Sequence, residues 1–257
     1  MSRFNDNLAD IKITALAIFI IASYFVLYIL GEFTVINQKW IYVAILLFFA
    51  FALRDCFDDF RSDFRNVFSK VELRHILLIV FLNIFFSYGM LYLSDWLAGS
   101  FPAADFLFGC NVPSMSLSAS LPVLGTFIST VVISPLSEEL IFRGVLMNRL
   151  KLFTPTIFAV LISSLLFASL HSFGSILSAF VFAICMAILY LKTENICVPI
   201  LAHFLNNLFA EIIRLADYNQ LLFTDFWVMA IVGILALISA VVLISFLVKE
   251  LKILNNK

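Results

Sequence analysis

The stretch VVISPLSEELIFRGV, residues 131–145, places two adjacent carboxylates and an arginine inside an otherwise apolar run. A charge near the centre of a bilayer costs roughly 2.5 kcal/mol or more, so such residues are rarely present without a function. The surrounding chain is 63% hydrophobic and 13% charged over 257 residues. These features predict an all-α, polytopic transmembrane helix bundle with a polar cavity at membrane depth.

Apolar runs long enough to be helices recur along the whole chain and predict about eight membrane spans. The first run has no small-residue cleavage site, so it is interpreted as a retained helix and not as a signal peptide. The predicted spans are Ile13–Leu30, Trp40–Leu53, Ile76–Leu97, Leu121–Leu150, Thr156–Phe173, Gly174–Leu191, Ile196–Ile213 and Phe226–Val248.

The distribution of Lys and Arg predicts the orientation of these spans. With both termini in the cytoplasm, only Lys39 and Arg214 of the sixteen basic residues fall in outer segments, as the positive-inside rule requires. The sequence therefore predicts a single integral domain over 1–257, in a plasma membrane that is expected to be bacterial. Its motif-bearing core covers about 121–213.

The first inner loop predicts an amphipathic helix at about 55–72 that lies on the membrane surface. Apolar side chains recur there at spacings of three and four, with acids and bases between them. They are Phe57, Phe60, Phe64, Phe68 and Val71.

Charge and cysteine usage exclude other classes of function. The formal net charge is −1, which gives no indication of nucleic-acid binding. The cysteines Cys56, Cys110, Cys185 and Cys197 form no CxxC pair and are expected to be small core residues.

Glu139 and Arg143 stand four residues apart, so they share one helix face and can pair. Glu138 is rotated from Glu139 by about 100° around the helix axis. We therefore expect Arg143 to neutralise Glu139 as a supporting pair, while Glu138 is left for chemistry as a candidate general base. Pro135 removes a backbone donor just before the pair and favours a bend in the helix.

His171 is predicted to face Glu138 across a helical hairpin. A turn at 152–155 separates them by similar lengths of helix, which places both at nearly the same depth. The two side chains can then form a pair around a water molecule. Phe167 precedes His171 by one turn and is expected to pack against its ring.

His203 and Asn207 share one face of the following helix. Together they can donate two hydrogen bonds to one small site, which suits a developing oxyanion. If this helix starts at the inner surface near Asn195, however, His203 lies only about 12 Å deep, at a shallower level than Glu138. Either the helix begins deeper than drawn, or the site extends over a range of depths.

The three motifs resemble those of the CPBP family, the CAAX-protease and bacteriocin-processing membrane proteins, also called Abi. The family pattern is EExxxR, then FxxxH, then HxxxN or HxxxD. Here Glu138-Glu139 with Arg143, Phe167 with His171, and His203 with Asn207 match it in order. The resemblance covers about Ser129–Leu208.

This resemblance implies an intramembrane glutamate-dependent endopeptidase. Carried over, Glu138 and His171 would activate water, and His203 and Asn207 would form the oxyanion hole. No cofactor is expected. Zinc is the less favoured alternative, because HExxH is absent and the two histidines come from different helices. The implied partners are the lipid bilayer and a hydrophobic or membrane-associated peptide or protein substrate, with no nucleic acid; no oligomeric state is indicated.

Several alternatives stay open at the level of sequence. Within the family, the roles range from peptide maturation, bacteriocin immunity or signalling to type II CAAX prenyl endopeptidase activity. A non-catalytic membrane scaffold or immunity protein and a proton-linked transporter are possible outside it, although no internal repeat supports a transporter. Ser134 and Ser137 lie near the glutamates but not in a nucleophile-elbow motif.

Overall fold

A computed structural model of the chain describes residues 2–33, 40–68, 70–100 and 124–255. Within these ranges the protein is helical and contains no strand, which confirms the predicted all-α class. The helices are α1 (Arg3–Asp10), α2 (Ile13–Phe33), α3 (Trp40–Ala52), α4 (Phe57–Asn66), α5 (Lys70–Ser100), α6 (residues 124–150), α7 (Thr156–Ala168), α8 (Ile176–Thr193), α9 (Cys197–Ala216), α10 (Leu221–Thr224) and α11 (Phe226–Asn255). Two short 3₁₀ turns lie at Arg54–Cys56 and Phe173–Ser175.

Each of the eight predicted spans contains an apolar helix, but two of these helices are too short to cross a bilayer alone. Within the described ranges, six helices have sufficient length and apolarity: α2, α5, α6, α8, α9 and α11. Helices α3 and α7 have 13 residues each, which is about 20 Å of helix against a hydrocarbon core of about 30 Å. The protein is therefore an integral, multi-pass membrane protein with six full-length helices, or seven spans if α3 and the segment after it count as one.

The amphipathic helix is shorter than the sequence predicted. The chain bends by 67° after α3, and α4 ends at Asn66, so Phe68 and Val71 lie beyond it. Phe60 packs on Phe4 of α1, whereas Phe57 and Phe64 are exposed. This arrangement fits a helix that contributes one face to the protein and another to the membrane surface.

Helix α1 was not predicted, and it covers one end of the bundle. Ser2 caps it, and Asn5 Nδ2 donates to Asp63 of α4 at 2.8 Å. On the other side, Leu8 fills the space above Gly144 of α6, where a Cβ atom would come within 2.6 Å of Leu8 Cδ2. Glycine is therefore required for the close contact between α1 and α6.

Helix α8 lies at the centre, packed against α5, α6, α7, α9 and α11. Of the described cysteines, Cys56, Cys185 and Cys197 are free and buried, as expected for core residues, and Cys110 lies outside the described residues. Helices α5 and α11 cross closely at Gly89, whose added Cβ would meet Ala236 Cβ at 2.5 Å. Small residues at such crossings allow helix backbones to approach each other in membranes.

Candidate active site

Helix α6 carries the glutamate pair on a backbone that alternates between α and π geometry. Residues Ser129–Ile133 and Leu140–Met147 are π-helical, and Ser134–Glu139 between them is α-helical. In the first π segment, Ser134 donates its N–H to the Ser129 carbonyl. The next bond of that register would run from residue 135 to the Thr130 carbonyl, but Pro135 has no N–H to donate.

Asn207 of α9 fills this vacant position in the ladder. Its Nδ2 donates to the Thr130 carbonyl oxygen at 2.9 Å. A backbone carbonyl without a partner at membrane depth is costly, so the proline in α6 creates an acceptor that the asparagine satisfies. The third motif is thus attached directly to the helix that carries the first.

Glu139 is the hub of the buried charges. Its Oε1 accepts a hydrogen bond from Arg143 Nη1 at 3.0 Å and contacts His203 Nδ1 at 2.8 Å. Both Glu139 and Arg143 are almost fully buried. The predicted pairing of these two residues is confirmed, and His203 joins it as a second partner.

Arg143 has further contacts beyond its ion pair. Its Nη2 donates to the Ala183 carbonyl of α8 at 3.0 Å, and its guanidinium lies 4.7 Å from the centre of the Phe167 ring. A guanidinium over an aromatic face is favourable, especially when it is desolvated. The arginine therefore joins α6, α7 and α8 at the depth of the glutamates.

Glu138 is positioned by different contacts from those of Glu139. The Ser134 hydroxyl donates to Glu138 Oε1, and Glu138 Oε2 lies 3.9 Å from His203 Nε2. The Tyr42 hydroxyl of α3 interacts with both Ser134 and Glu138. One carboxylate is thus bound to Arg143, while its neighbour is held by hydroxyl groups.

His171 lies in a turn, because α7 ends at Ala168 and does not continue to Phe173 as predicted. The His171 backbone N–H donates to the Ala168 carbonyl, and ring atom Nδ1 lies 3.2 Å from the Phe167 carbonyl oxygen. The Phe167 and His171 rings pack with centroids 4.8 Å apart, as predicted. The Phe167 carbonyl also accepts from the Leu170 backbone N–H at 3.2 Å, so the ring nitrogen lies at an acceptor that the turn already uses.

The charges on Glu138, His203 and Arg143 all act on the His171 ring, so the three motifs share one electrostatic environment. Within the described residues, however, His171 makes no hydrogen bond or ion pair with Glu138. The two groups are therefore not in direct contact.

His203 reaches the level of the glutamates because α9 begins inside the protein. Ile196 and Cys197 at its start are buried beneath α1 and α4. Asn5 accepts from the Ile196 N–H, and Asn195 donates to the Asp63 carbonyl. His203 therefore lies beside both glutamates, with Nε2 at 3.9 Å from Glu138 Oε2 and Nδ1 at 2.8 Å from Glu139 Oε1.

Comparison with known proteins bears on the same part of the chain. The family model "Type II CAAX prenyl endopeptidase Rce1-like" matches residues 120–209. These residues contain all three motifs. This part of the chain is similar to the members of that family. It holds the whole cluster around Glu138 and Glu139.

A relative from Bacillus subtilis (strain 168), named "Putative membrane peptidase YdiL", is 33% identical over 134 residues. The alignment covers 50% of this chain and 54% of the relative, so it spans about half the length of each protein. No solved structure matches the chain.

The segment that matches the family model has partners that the sequence motifs did not reveal. Tyr42 comes from α3, outside the matched segment, and Ser137 fixes that helix by donating to the Tyr42 backbone carbonyl at 3.2 Å. Asn206, the residue before Asn207 on α9, accepts a hydrogen bond from Asn83 of α5 at 2.9 Å. The only available signal was the presence of polar residues in apolar helices, which does not identify their partners.

The positions of the histidine, cysteine and carboxylate side chains bear on the zinc alternative. In the part of the chain that the structure describes, no three His, Cys, Asp or Glu side chains form a group that could hold a metal ion. His203 Nδ1 contacts Glu139, and His171 Nδ1 contacts a backbone carbonyl. On each ring Nε2 is therefore the atom left to interact with a ligand.

Proposed function

We propose that this protein is an intramembrane endopeptidase of the CPBP type, which hydrolyses a peptide bond in a hydrophobic or membrane-associated substrate. The observation that carries the proposal is that the two adjacent glutamates have different hydrogen-bond and ion-pair partners. Arg143 and His203 Nδ1 both contact Glu139, whereas Glu138 is held by Ser134 and faces the second nitrogen of His203. A carboxylate without an arginine partner is the better proton acceptor.

In this mechanism Glu138 and His171 activate a water molecule held between them. If His171 donates its Nδ1–H to the Phe167 carbonyl, neutral Nε2 carries the lone pair and can accept a hydrogen bond from that water. The water oxygen attacks the scissile carbonyl carbon while its proton passes to Glu138. When the tetrahedral intermediate collapses, the C–N bond breaks and Glu138 returns the proton to the leaving amine.

The oxyanion is assigned to His203 and Asn207. An amide has two N–H groups, so Asn207 can keep its bond to the Thr130 carbonyl and donate the second hydrogen to substrate. If His203 uses Nδ1–H toward Glu139, donation from Nε2 requires the imidazolium form.

The substrate is proposed only as a class. The matching family description names prenyl endopeptidases, and the relative is named as a membrane peptidase. A maturing or signalling peptide, a bacteriocin, or a prenylated protein tail all meet the requirement for an apolar segment delivered from the bilayer.

The decisive test is Glu138→Gln in protein reconstituted into liposomes. Cleavage of a library of labelled hydrophobic peptides, followed by mass spectrometry, should fall by about 10²–10⁴-fold, the usual contribution of a general acid–base group. Glu211→Gln is the matched control, because Glu211 lies one turn beyond Asn207 on α9 and its carboxylate pairs with Arg214 at 2.7 Å. Cleavage that persists at the level of the control would refute the glutamate mechanism.

A serine nucleophile is the second candidate, since Ser134 donates to Glu138 and a carboxylate can act as its base. Ser134→Ala separates the two: it should leave at least a tenth of the activity if water is the nucleophile, and almost none if Ser134 is. If the protein keeps its cellular role after both Glu138→Gln and His171→Ala, the role is that of a non-catalytic scaffold.

A further inference from the structure

A groove separate from the glutamate cluster opens between α5, α8 and α11. Its volume is about 540 Å³, within the range of pockets that hold small molecules. Helices α5 and α11 touch closely at Gly89 and Ala236. The groove lies nearer to the start of α5 and the end of α11 than this crossing.

The walls of the groove are apolar, and its side is open. Ile79, Leu82 and Leu243 form buried wall positions, while Leu78 and Val242 at its edge are 51% and 41% exposed. Since these helices span the bilayer, exposed apolar edges face hydrocarbon. From Val242 to Glu250 the groove extends over about 12 Å of α11, so an acyl chain can enter from the side and lie along it.

The polar mouth of the groove is basic. Lys192 lies in the last turn of α8, Lys249 lies in the last turns of α11, and His75 lies near the start of α5. Glu250 is the one acid among the described lining residues. It is buried and bound to Lys192 at 2.6 Å, so Lys249 carries the remaining positive charge, and His75 adds a ring that can hydrogen-bond to an anion.

This end of the bundle is also the end covered by α1. Thr193, at the end of α8, bonds to the carbonyl of Asn195, and Asn195 in turn bonds to α4. The distribution of Lys and Arg predicts that this end faces the cytoplasm. A basic mouth above an apolar groove at this level coincides with the headgroup region of the inner leaflet, where anionic lipids are concentrated.

We infer that this groove binds one anionic phospholipid of the inner leaflet, with an acyl chain between α5 and α11 and the phosphate at Lys249, His75 and Lys192. Charge complementarity selects the anionic headgroup, and the lateral opening selects a lipid that arrives from the bilayer. The site lies outside the three motifs and does not depend on peptidase activity.

The test uses the full-length protein in detergent with an equal mixture of dioleoylphosphatidylglycerol and dioleoylphosphatidylcholine, and counts retained lipids by native mass spectrometry. We expect one phosphatidylglycerol molecule to be retained preferentially. Lys249→Gln should lower this preference by about fivefold, the usual effect of one basic residue at an anionic surface. Lys252→Gln, one turn further along α11 and outside the groove, should change it less than twofold.

A second pair of variants tests the acyl-chain site without altering any charge. Val242→Trp fills the groove and should remove the retained lipid, whereas Val241→Trp, which points to lipid at 66% exposure, should not. Glu138→Gln should retain lipid like the unaltered protein, so a failure of the proposed peptidase mechanism leaves this result interpretable. Equal retention within either matched pair, or equal retention of the two lipids, would overturn the inference.

Discussion

Helices α8 and α2 are both apolar and long enough to span a membrane, yet α8 is mostly buried by other helices and α2 is mostly exposed. In its most apolar window α8 has 67% of residues buried inside the protein, whereas α2 has 6%. Lipid tails are as apolar as leucine, so apolarity alone does not draw membrane helices together. What distinguishes α8 is its hydrogen bonds to α6: the Ala183 carbonyl accepts from Arg143, and the Tyr190 hydroxyl accepts from Asn148.

The largest effect on stability should come from removing Arg143, whose guanidinium connects α6 to α8. Arg143→Leu leaves the Glu139 carboxylate without its buried cation, and the free energy of unfolding should fall by about 3–5 kcal/mol. Steric trapping in bicelles measures this quantity for a membrane protein. Phe25→Leu on α2, where Phe25 is 62% exposed, is the control and should change it by less than about 0.5 kcal/mol.

The double variant Glu139→Gln with Arg143→Leu sharpens this prediction. Removing both charges should recover part of the lost stability, because the penalty comes mainly from an unpaired buried charge. A loss below 1 kcal/mol in the single variant would contradict the view that this ion pair joins the buried helices.

A smaller effect on the free energy of unfolding is expected when a glycine is replaced in the packed helix α6 or in the exposed helix α2. Gly144→Ala places a Cβ atom against Leu8 and should destabilise the protein by about 1–3 kcal/mol through overpacking. Gly31→Ala on α2 has nothing within 4 Å of the added Cβ. It should be neutral or stabilise by up to about 1 kcal/mol, because alanine favours helix.

The same unfolding measurement, repeated in a Leu8→Ala background, shows whether the clash with Leu8 causes the loss of stability in Gly144→Ala. If contact with α1 is responsible, Gly144→Ala should cost at most a few tenths of a kcal/mol in that background, since the opposing side chain has been shortened. An undiminished cost would locate the strain elsewhere in α6.

The smallest effect on stability, within about 1 kcal/mol, is expected for Pro135→Ala. Alanine supplies the N–H that the π register lacks. This N–H can donate to the Thr130 carbonyl and so competes with Asn207 for that acceptor. We expect cleavage to fall to the level of Asn207→Ala while the fold is retained. Pro199→Ala is the control, because Pro199 lies in the first turn of α9, where an N–H has no helical acceptor. Full activity of Pro135→Ala would show that Asn207 needs no anchor on α6.

Local patterns were sufficient to predict much of this protein. Apolar runs predicted a helix in each of eight places, and the four-residue spacing of Glu139 and Arg143 predicted their ion pair. The spacing of Phe167 and His171 likewise predicted their ring contact, although the helix ends between them. An i to i+4 contact needs one turn of the chain and does not require a continuing helix.

Features that depend on neighbouring elements were missed or misjudged. The eight residues of α1 form a helix too short to be stable alone, and its order comes from contacts with α4 and α6. The contact of His203 with both glutamates depends on how α9 is placed against α6, and the helical rise along one segment does not give that placement.

The sequence by itself determined that this is a helical membrane protein with three polar motifs in apolar surroundings, because hydropathy and helical spacing are local properties. Only the tertiary structure decided how the charges are divided: Arg143 and His203 both contact Glu139, and Glu138 is bound by Ser134. That division depends on the rotation of α6 and the depth of α9. Both are set by packing between helices that are distant in the chain.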